Sequence, residues 1–305
     1  NSFIIFHKGV DIIKDAGNCS YGKPEYRNYF FQTEAHNVVR FNGQGQPRHQ
    51  QYHGSMLPGE MTGLVDEGRF KYVLANGTGP MSRWLSRNYR HFLWIDNVIY
   101  IVDDLESHEP GHFEWLWHPG GDVCKRGYDL EVTNGDAAVL IRPIYPNWLA
   151  PSDYVHDYLY WETHEAPDET LKGTETYWSF HMPQTADRVK GVTAVILKDS
   201  VAQKAVPVME RREGKDWIGV RVNNPDGSVT DIYINQLADG RLMHLNSWIE
   251  ADGWTTDAYM LAVTRPRPDA RPDDIFMVHG SSLRRDGKVL HSTLDKRTCK
   301  VTPAH

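Results

Sequence analysis

Short runs of alternating apolar and polar residues dominate the chain, the period of a strand with one face buried and one in water. "SFIIFHKGVDIIKDAG" predicts two short strands about a turn at His7-Lys8-Gly9, and "RFKYVLANGTG" another strand and turn. "NYRHFLWIDNVIYIVDDL" predicts a hairpin with Asp96-Asn97 at its tip. In "GHFEWLWHPGG", Phe113, Trp115 and Trp117 share one face, and Glu114, Leu116 and His118 the other. Further strands are predicted in "AAVLIRPIYP", "VTAVILKD", "WIGVRVNNPDGSVTDIYIN", "AYMLAVTRP" and "IFMVHGSSLRRDGKVLHST". Asn224-Pro225-Asp226-Gly227 and Arg285-Asp286-Gly287 punctuate them as turns. No segment keeps a 3.6-residue period over three turns, and one helical turn is admitted, at "NWLAPSD".

Many short strands at spacings of roughly 8 to 12 residues, with no helices to cover them, predict an all-β fold. The expected architecture is a large antiparallel β-sandwich of layered sheets, with residues 1–305 read as a single domain. "LAPSDYVHDYLYWETHEAPDETLKGTETYW" reads as an acidic insertion between strands, either a loop that shapes a cleft or an exposed excursion. "RPRPDARPDD" reads as an extended connection between the last strands. The opening "NSFIIF" reads as a strand already under way, so the chain is expected to be part of a longer protein.

Composition narrows the function. Ten Trp, fifteen Tyr and ten Phe supply rings that fill sheet cores and, where exposed, stack on sugars. A net charge of −7 argues against nucleic acid as a partner. Residues 23–48 nevertheless carry Lys23, Arg27, Arg40 and Arg48 against Glu25 and Glu34, which leaves room for an anionic ligand. No apolar run is long enough to span a membrane. Cys19, Cys124 and Cys299 match no metal-binding spacing and give no disulfide framework, although one bridge remains open.

Fifteen histidines demand a physical reason for singling any out. His112 and His118 flank one strand and read as hydrogen-bonded core residues, while His49 and His53 lie in a polar stretch and read as surface. His36 stands at the entrance of "HNVVRFNGQG", where Val38 and Arg40 face one way and Asn37, Val39 and Phe41 the other. Asp15 emerges at the end of "IIKDAGN" as the chain turns through Ala16-Gly17. A carboxylate and an imidazole leaving neighbouring strands at one sheet end suit either a hydrogen-bonded pair or two ligands of Zn²⁺. Spacing leaves both open.

The run from Asn1 to Gln46 resembles the C-terminal sheet domain of the heparinase II/III family of polysaccharide lyases. The likeness continues through "NYRHFLWIDNVIYIVDDL" and "HFEWLWHPGGD" and then fades into a general β-rich pattern. Its most specific motif reads A-H-N-T in the family and Ala35-His36-Asn37-Val38 here, Val38 lacking the hydroxyl. The resemblance implies an (α/α) toroid preceding this chain. It also implies a structural zinc ion held by Asp15, His36 and a histidine upstream of Asn1, with Glu34 and Asn37 as the nearest supports. Tyr21, Tyr26 and Asn37 take substrate-binding places by the same resemblance, and the catalytic residues fall in the toroid. The implied activity is β-elimination on an acidic polysaccharide or oligosaccharide (heparan or another glycosaminoglycan, alginate, ulvan) by a periplasmic or secreted enzyme. This chain alone is then expected to turn over no substrate. Two other readings stay open: a non-catalytic carbohydrate-binding sandwich, and a mutarotase-like sandwich in which His and Glu do acid–base work.

Overall fold

The computed structural model describes residues 1–48, 56–146, 161–182, 184–239 and 247–302. Within them the alternation read from the sequence becomes antiparallel pairing, grouped into two compact units: residues 1–62 with 73–203, and residues 63–72 with 204–305. The sequence reading treats the whole as one domain.

In the first unit, β1 (Ile5–His7) and β2 (Val10–Ile13) form a two-stranded ribbon. One π-helical turn at Tyr26–Phe30 and a 3₁₀ turn at Thr33–Ala35 precede β3 (Val39–Phe41). Strands β4 (Glu60–Glu67) and β5 (Phe70–Asn76), whose residues 63–67 and 70–72 are grouped with the second unit, lead through a helical turn at Thr78–Met81 to β6 (Leu85–Ile95) and β7 (Val98–Gly111). Then come β8 (Phe113–Trp117), β9 (Asp122–Arg126), β10 (Asp129–Asn134), β11 (Ala137–Tyr145), β12 (Glu162–Pro167), β13 (Thr174–His181) and β14 (Ala186–Lys198). They assemble an eight-stranded sheet, β4-β5-β6-β7-β14-β11-β10-β9, and a four-stranded sheet, β12-β13-β8-β3.

The two sheets share one core. From the small sheet come Val39, Phe41, Phe113, Trp115, Trp117 and Phe180; from the large one come Ile99, Ile101, Leu130, Val139, Ile141 and Val195. Burying a ring such as Phe113 or Phe180 stabilises the fold by about 1.5–3 kcal/mol. The predicted split of β8 holds: its odd positions point into this core, while Leu116 packs with Ala166 and Tyr177 on the other face. The predicted hairpin tip holds as well, with Ile95 opposite Val98 and Asp96 at φ +52°.

The second unit contains β15 (Val208–Gly214), β16 (Trp217–Asn223), β17 (Val229–Asn235), β18 (Ile249–Ala251), β19 (Trp254–Thr256), β20 (Met260–Arg265), β21 (Asp274–Arg285) and β22 (Lys288–Val301). Their order is β15-β16-β17-β20-β21-β19-β18, with β22 against β21. Its core gathers Trp217, Tyr233, Trp254, Leu261, Val263, Met277 and Leu283. The "RPRPDARPDD" connection joins β20 to β21, which pair directly.

Two expectations are corrected. The described part of the acidic insertion is neither loop nor excursion: Glu162–Pro167 and Thr174–His181 pair as β12 and β13, because alternate Trp178 and Phe180 turn inward. Helical turns occur at Tyr26–Phe30, Thr33–Ala35 and Thr78–Met81, where local hydrogen bonds need no long period. The turn expected at "NWLAPSD", like His49 and His53, lies outside the described residues. The open question of a disulfide closes, since all three cysteines are free thiols. Among the described residues no helix is long and apolar enough to cross a membrane.

Candidate functional site

After β2 the backbone is held on two sides. The Lys14 amide donates to the His118 carbonyl at 2.9 Å and the Ala16 amide to the Ala35 carbonyl at 3.2 Å. Gly17, at φ +88°, turns the chain, and its amide donates to Asp15 Oδ1 at 3.1 Å. A Cβ here would collide with the Glu169 side chain, whose Oε1 accepts the Asn18 amide at 3.2 Å. The β12–β13 connection thus buttresses the Asp15 turn, helped by the Lys14–Glu175 ion pair. From the other side the 3₁₀ turn closes with the His36 amide on the Thr33 carbonyl and delivers His36 in extended backbone, φ −133°.

The two predicted ligands therefore meet: His36 Nδ1 lies 2.6 Å from Asp15 Oδ2. Their side chains are 32% and 36% exposed, so each reaches solvent while keeping the other. Burial raises the Asp15 pKa, but the His36 hydrogen bond and charge, the Gly17 amide and the His118 charge outweigh it. The carboxyl titrates below its ordinary range.

His36 opens onto a cleft of about 590 Å³. Tyr21, Tyr26 and Phe31 form an aromatic side of it, while Gln32, Asn88 and Arg48 supply polar groups. Tyr21 and Tyr26 meet edge to face at 4.7 Å, and Tyr21 is 73% exposed, so both predicted tyrosines present rings to the cleft.

Asn37 goes elsewhere. It is 0% exposed and is not among the residues that line the cleft. Its amide nitrogen donates to the Phe3 and Lys14 carbonyls at 2.8 and 2.7 Å, and its oxygen accepts the His118 amide at 2.7 Å. The backbone carbonyl of Asn37 accepts from Arg90 at 2.7 Å, and Arg90 is itself paired with Asp103 at 2.7 Å. Trp115 Nε1 completes the group by donating to Asp103 at 2.8 Å. Glu34, read as a support of the pair, instead faces Arg40 at 3.4 Å.

Several cleft-lining positions escape sequence reasoning. Gln32, Asn88 and Phe31 reach the cleft only through the fold, and of the basic group at 23–48 only Arg48 lines it. Arg40 is committed to Glu114 at 2.6 Å. The Arg90–Asp103 pair does carry a signal, because counting outward from the Asp96-Asn97 tip sets these residues opposite each other.

Residues 1–240 match the family model described as heparinase II/III-like, C-terminal. Among solved structures, the chain is similar to heparinase III at 14% identity and TM-score 0.56, over 77% of this chain and 35% of that one. It is similar to a second heparinase III gene product at 14% and 0.58, over 77% and 36%. The heparan sulfate lyase HepC from Pedobacter heparinus matches at 16% and 0.54, over 73% and 34%. At such identities the likeness is one of fold. The chain spans about a third of the length of these structures. No curated protein matches it.

Proposed function

The chain belongs to the heparinase II/III-like C-terminal family, and from that premise we propose that it is the β-sandwich part of a lyase cleaving an acidic polysaccharide. One observation carries the reading: Asp15 and His36 converge to 2.6 Å at a cleft whose other side is aromatic. The rings of Tyr21, Tyr26 and Phe31 offer flat faces for sugars, and Arg48 offers a positive charge to a uronate.

An oxygen and a nitrogen donor that converge here, each with an open side, suit two places of a Zn²⁺ site once their hydrogen bond opens to admit the ion. Asp15 and His36 would hold the ion with a further donor from outside this chain. Bound there, it supplies a cross-link between the exit of β2 and the entrance of β3, fixing the wall of the cleft. In β-elimination on a uronate, the C5 proton is weakly acidic until hydrogen-bond donors take up charge on the neighbouring carboxylate. A positioned base then removes that proton while an acid protonates the departing oxygen. Within this chain the residues bind and orient the sugar; base and acid belong to the preceding toroid. Substrates of this kind place the enzyme in the periplasm or outside the cell.

The test uses the full-length protein on a panel of uronate polysaccharides, read by absorbance of the unsaturated product, with zinc by elemental analysis. Asp15→Ala is expected to lower product formation and zinc content together. Parent-like zinc and turnover in that variant would overturn the reading. Raising ionic strength is expected to weaken substrate binding, because the substrate is anionic.

A further inference from the structure

The outer face of the four-stranded sheet carries another set of donors, on strands that contribute nothing to the Asp15–His36 pair. Glu162 and His164 alternate along β12 and so share a face. Glu162 lies opposite Ser179, Ser179 lies opposite Leu116, and Glu114 shares the parity of Leu116 on β8. The register therefore brings three side chains from two non-adjacent strands to one place. One ligand atom from each lies within 4.8 Å of the others. His164 Nε2 is 3.9 Å from Glu114 Oε1 and 4.0 Å from Glu162 Oε2. Donors on a tetrahedral ion with bonds of about 2.0–2.2 Å stand roughly 3.4 Å apart, a closure within reach of small side-chain rotations.

The surroundings orient the set. Arg40 Nε and Nη2 both donate to Glu114 Oε2, at 2.9 and 2.6 Å, which leaves Oε1 turned to His164. Glu114 is only 9% exposed. The His164 ring stacks on Tyr177 at 4.7 Å, and Tyr177 stacks on His118 at 5.0 Å, so the imidazole plane is fixed. Charge points the same way: Glu34 and Glu114 share the guanidinium of Arg40, Glu162 adds a further carboxylate beside His164, and a divalent cation offsets the negative excess. Ser179 Oγ lies 2.8 Å from His164 Nε2 and is the hydrogen-bonding competitor an ion must displace.

We propose that Glu114, Glu162 and His164 bind a divalent cation of the Zn²⁺ class, at a site separate from Asp15 and His36. A mixed set of one imidazole and two carboxylates suits such borderline ions.

The experiment titrates Zn²⁺ into the 305-residue chain carrying Asp15→Ala with His36→Ala, by calorimetry, with circular dichroism to confirm the fold. One equivalent is expected to bind. Adding His164→Ala or Glu162→Gln is expected to weaken it by about tenfold or more, since each removes a ligand. Ser179→Ala is expected to leave the affinity unchanged or raise it. If the double variant does not fold, the parent chain is titrated with and without Glu162→Gln, and the loss of one equivalent is expected. Zinc binding that is absent, or indifferent to His164→Ala and Glu162→Gln, overturns the proposal, as does a loss of affinity in Ser179→Ala.

Discussion

Asn37 Nδ2 donates to the Lys14 carbonyl at 2.7 Å, so the residue after His36 grips the residue before Asp15. The separation of the pair is thus set by a buried amide rather than by the pair itself. Asn37→Ala removes the partner of the half-buried Phe3 and Lys14 carbonyls and of the buried His118 amide. The expected loss is about 2–4 kcal/mol of stability, read from the urea unfolding midpoint. An unchanged midpoint would refute the brace.

Arg90 and Asp103 are 3% and 1% exposed, a buried ion pair reinforced by Trp115. Removing one partner leaves a charge without its counterion, which costs about 3–5 kcal/mol. Arg90→Met is therefore expected to be severe, and Asp103→Asn added to it is expected to recover part of the loss. A double variant whose loss equals the sum of the singles would show that the two do not act together.

His118 gives the fold a pH dependence of definite sign. It is 3% exposed, and burial, the largest effect, outweighs the Asp15 charge and pushes its pKa from 6.5 down to about 4. Between those values the unfolded chain takes up a proton that the folded chain refuses. Stability from this group is complete above pH 6.5 and is lost as pH falls through about 4, amounting to about 3 kcal/mol. His118→Gln is expected to flatten the denaturation midpoint across that window. An equal slope in parent and variant would assign the acid lability elsewhere. The lowered pKa of Asp15 has the same sign but acts below the ordinary carboxylate range.

What could be read in advance, and what could not, follows from the range of the interactions. Strand alternation is local, so the inward set of Phe113, Trp115 and Trp117 and the Asp96-Asn97 tip are visible in the sequence. The meeting of Asp15 and His36 was suggested by both leaving strand-like segments, although His36 in fact leaves a 3₁₀ turn. The sequence marks Asn37 only by resemblance and does not show its role as a buried brace, because its partners lie 34, 23 and 81 positions away. The strands β12 and β13 are hidden by their acidic outer positions, Glu162 and Glu175, which mask the inward Trp178 and Phe180.

The approach of β2 to the loop after β8 is the last control on the site. Gly120 donates to the Ile12 carbonyl at 2.9 Å, and a Cβ on it would stand 1.8 Å from the Asp11 carbonyl oxygen. That atom is backbone inside a ribbon, so it cannot swing aside as a side-chain end would. Gly120→Ala must push β2 away, and Asp15, two residues beyond its end, moves with it. The expected cost is about 1–3 kcal/mol, with zinc content falling alongside stability. Gly22→Ala serves as the contrast, since nothing lies within 4 Å of its added methyl. Equal thermal midpoints for the two variants would mean that β2 yields freely, and that its docking does not place Asp15.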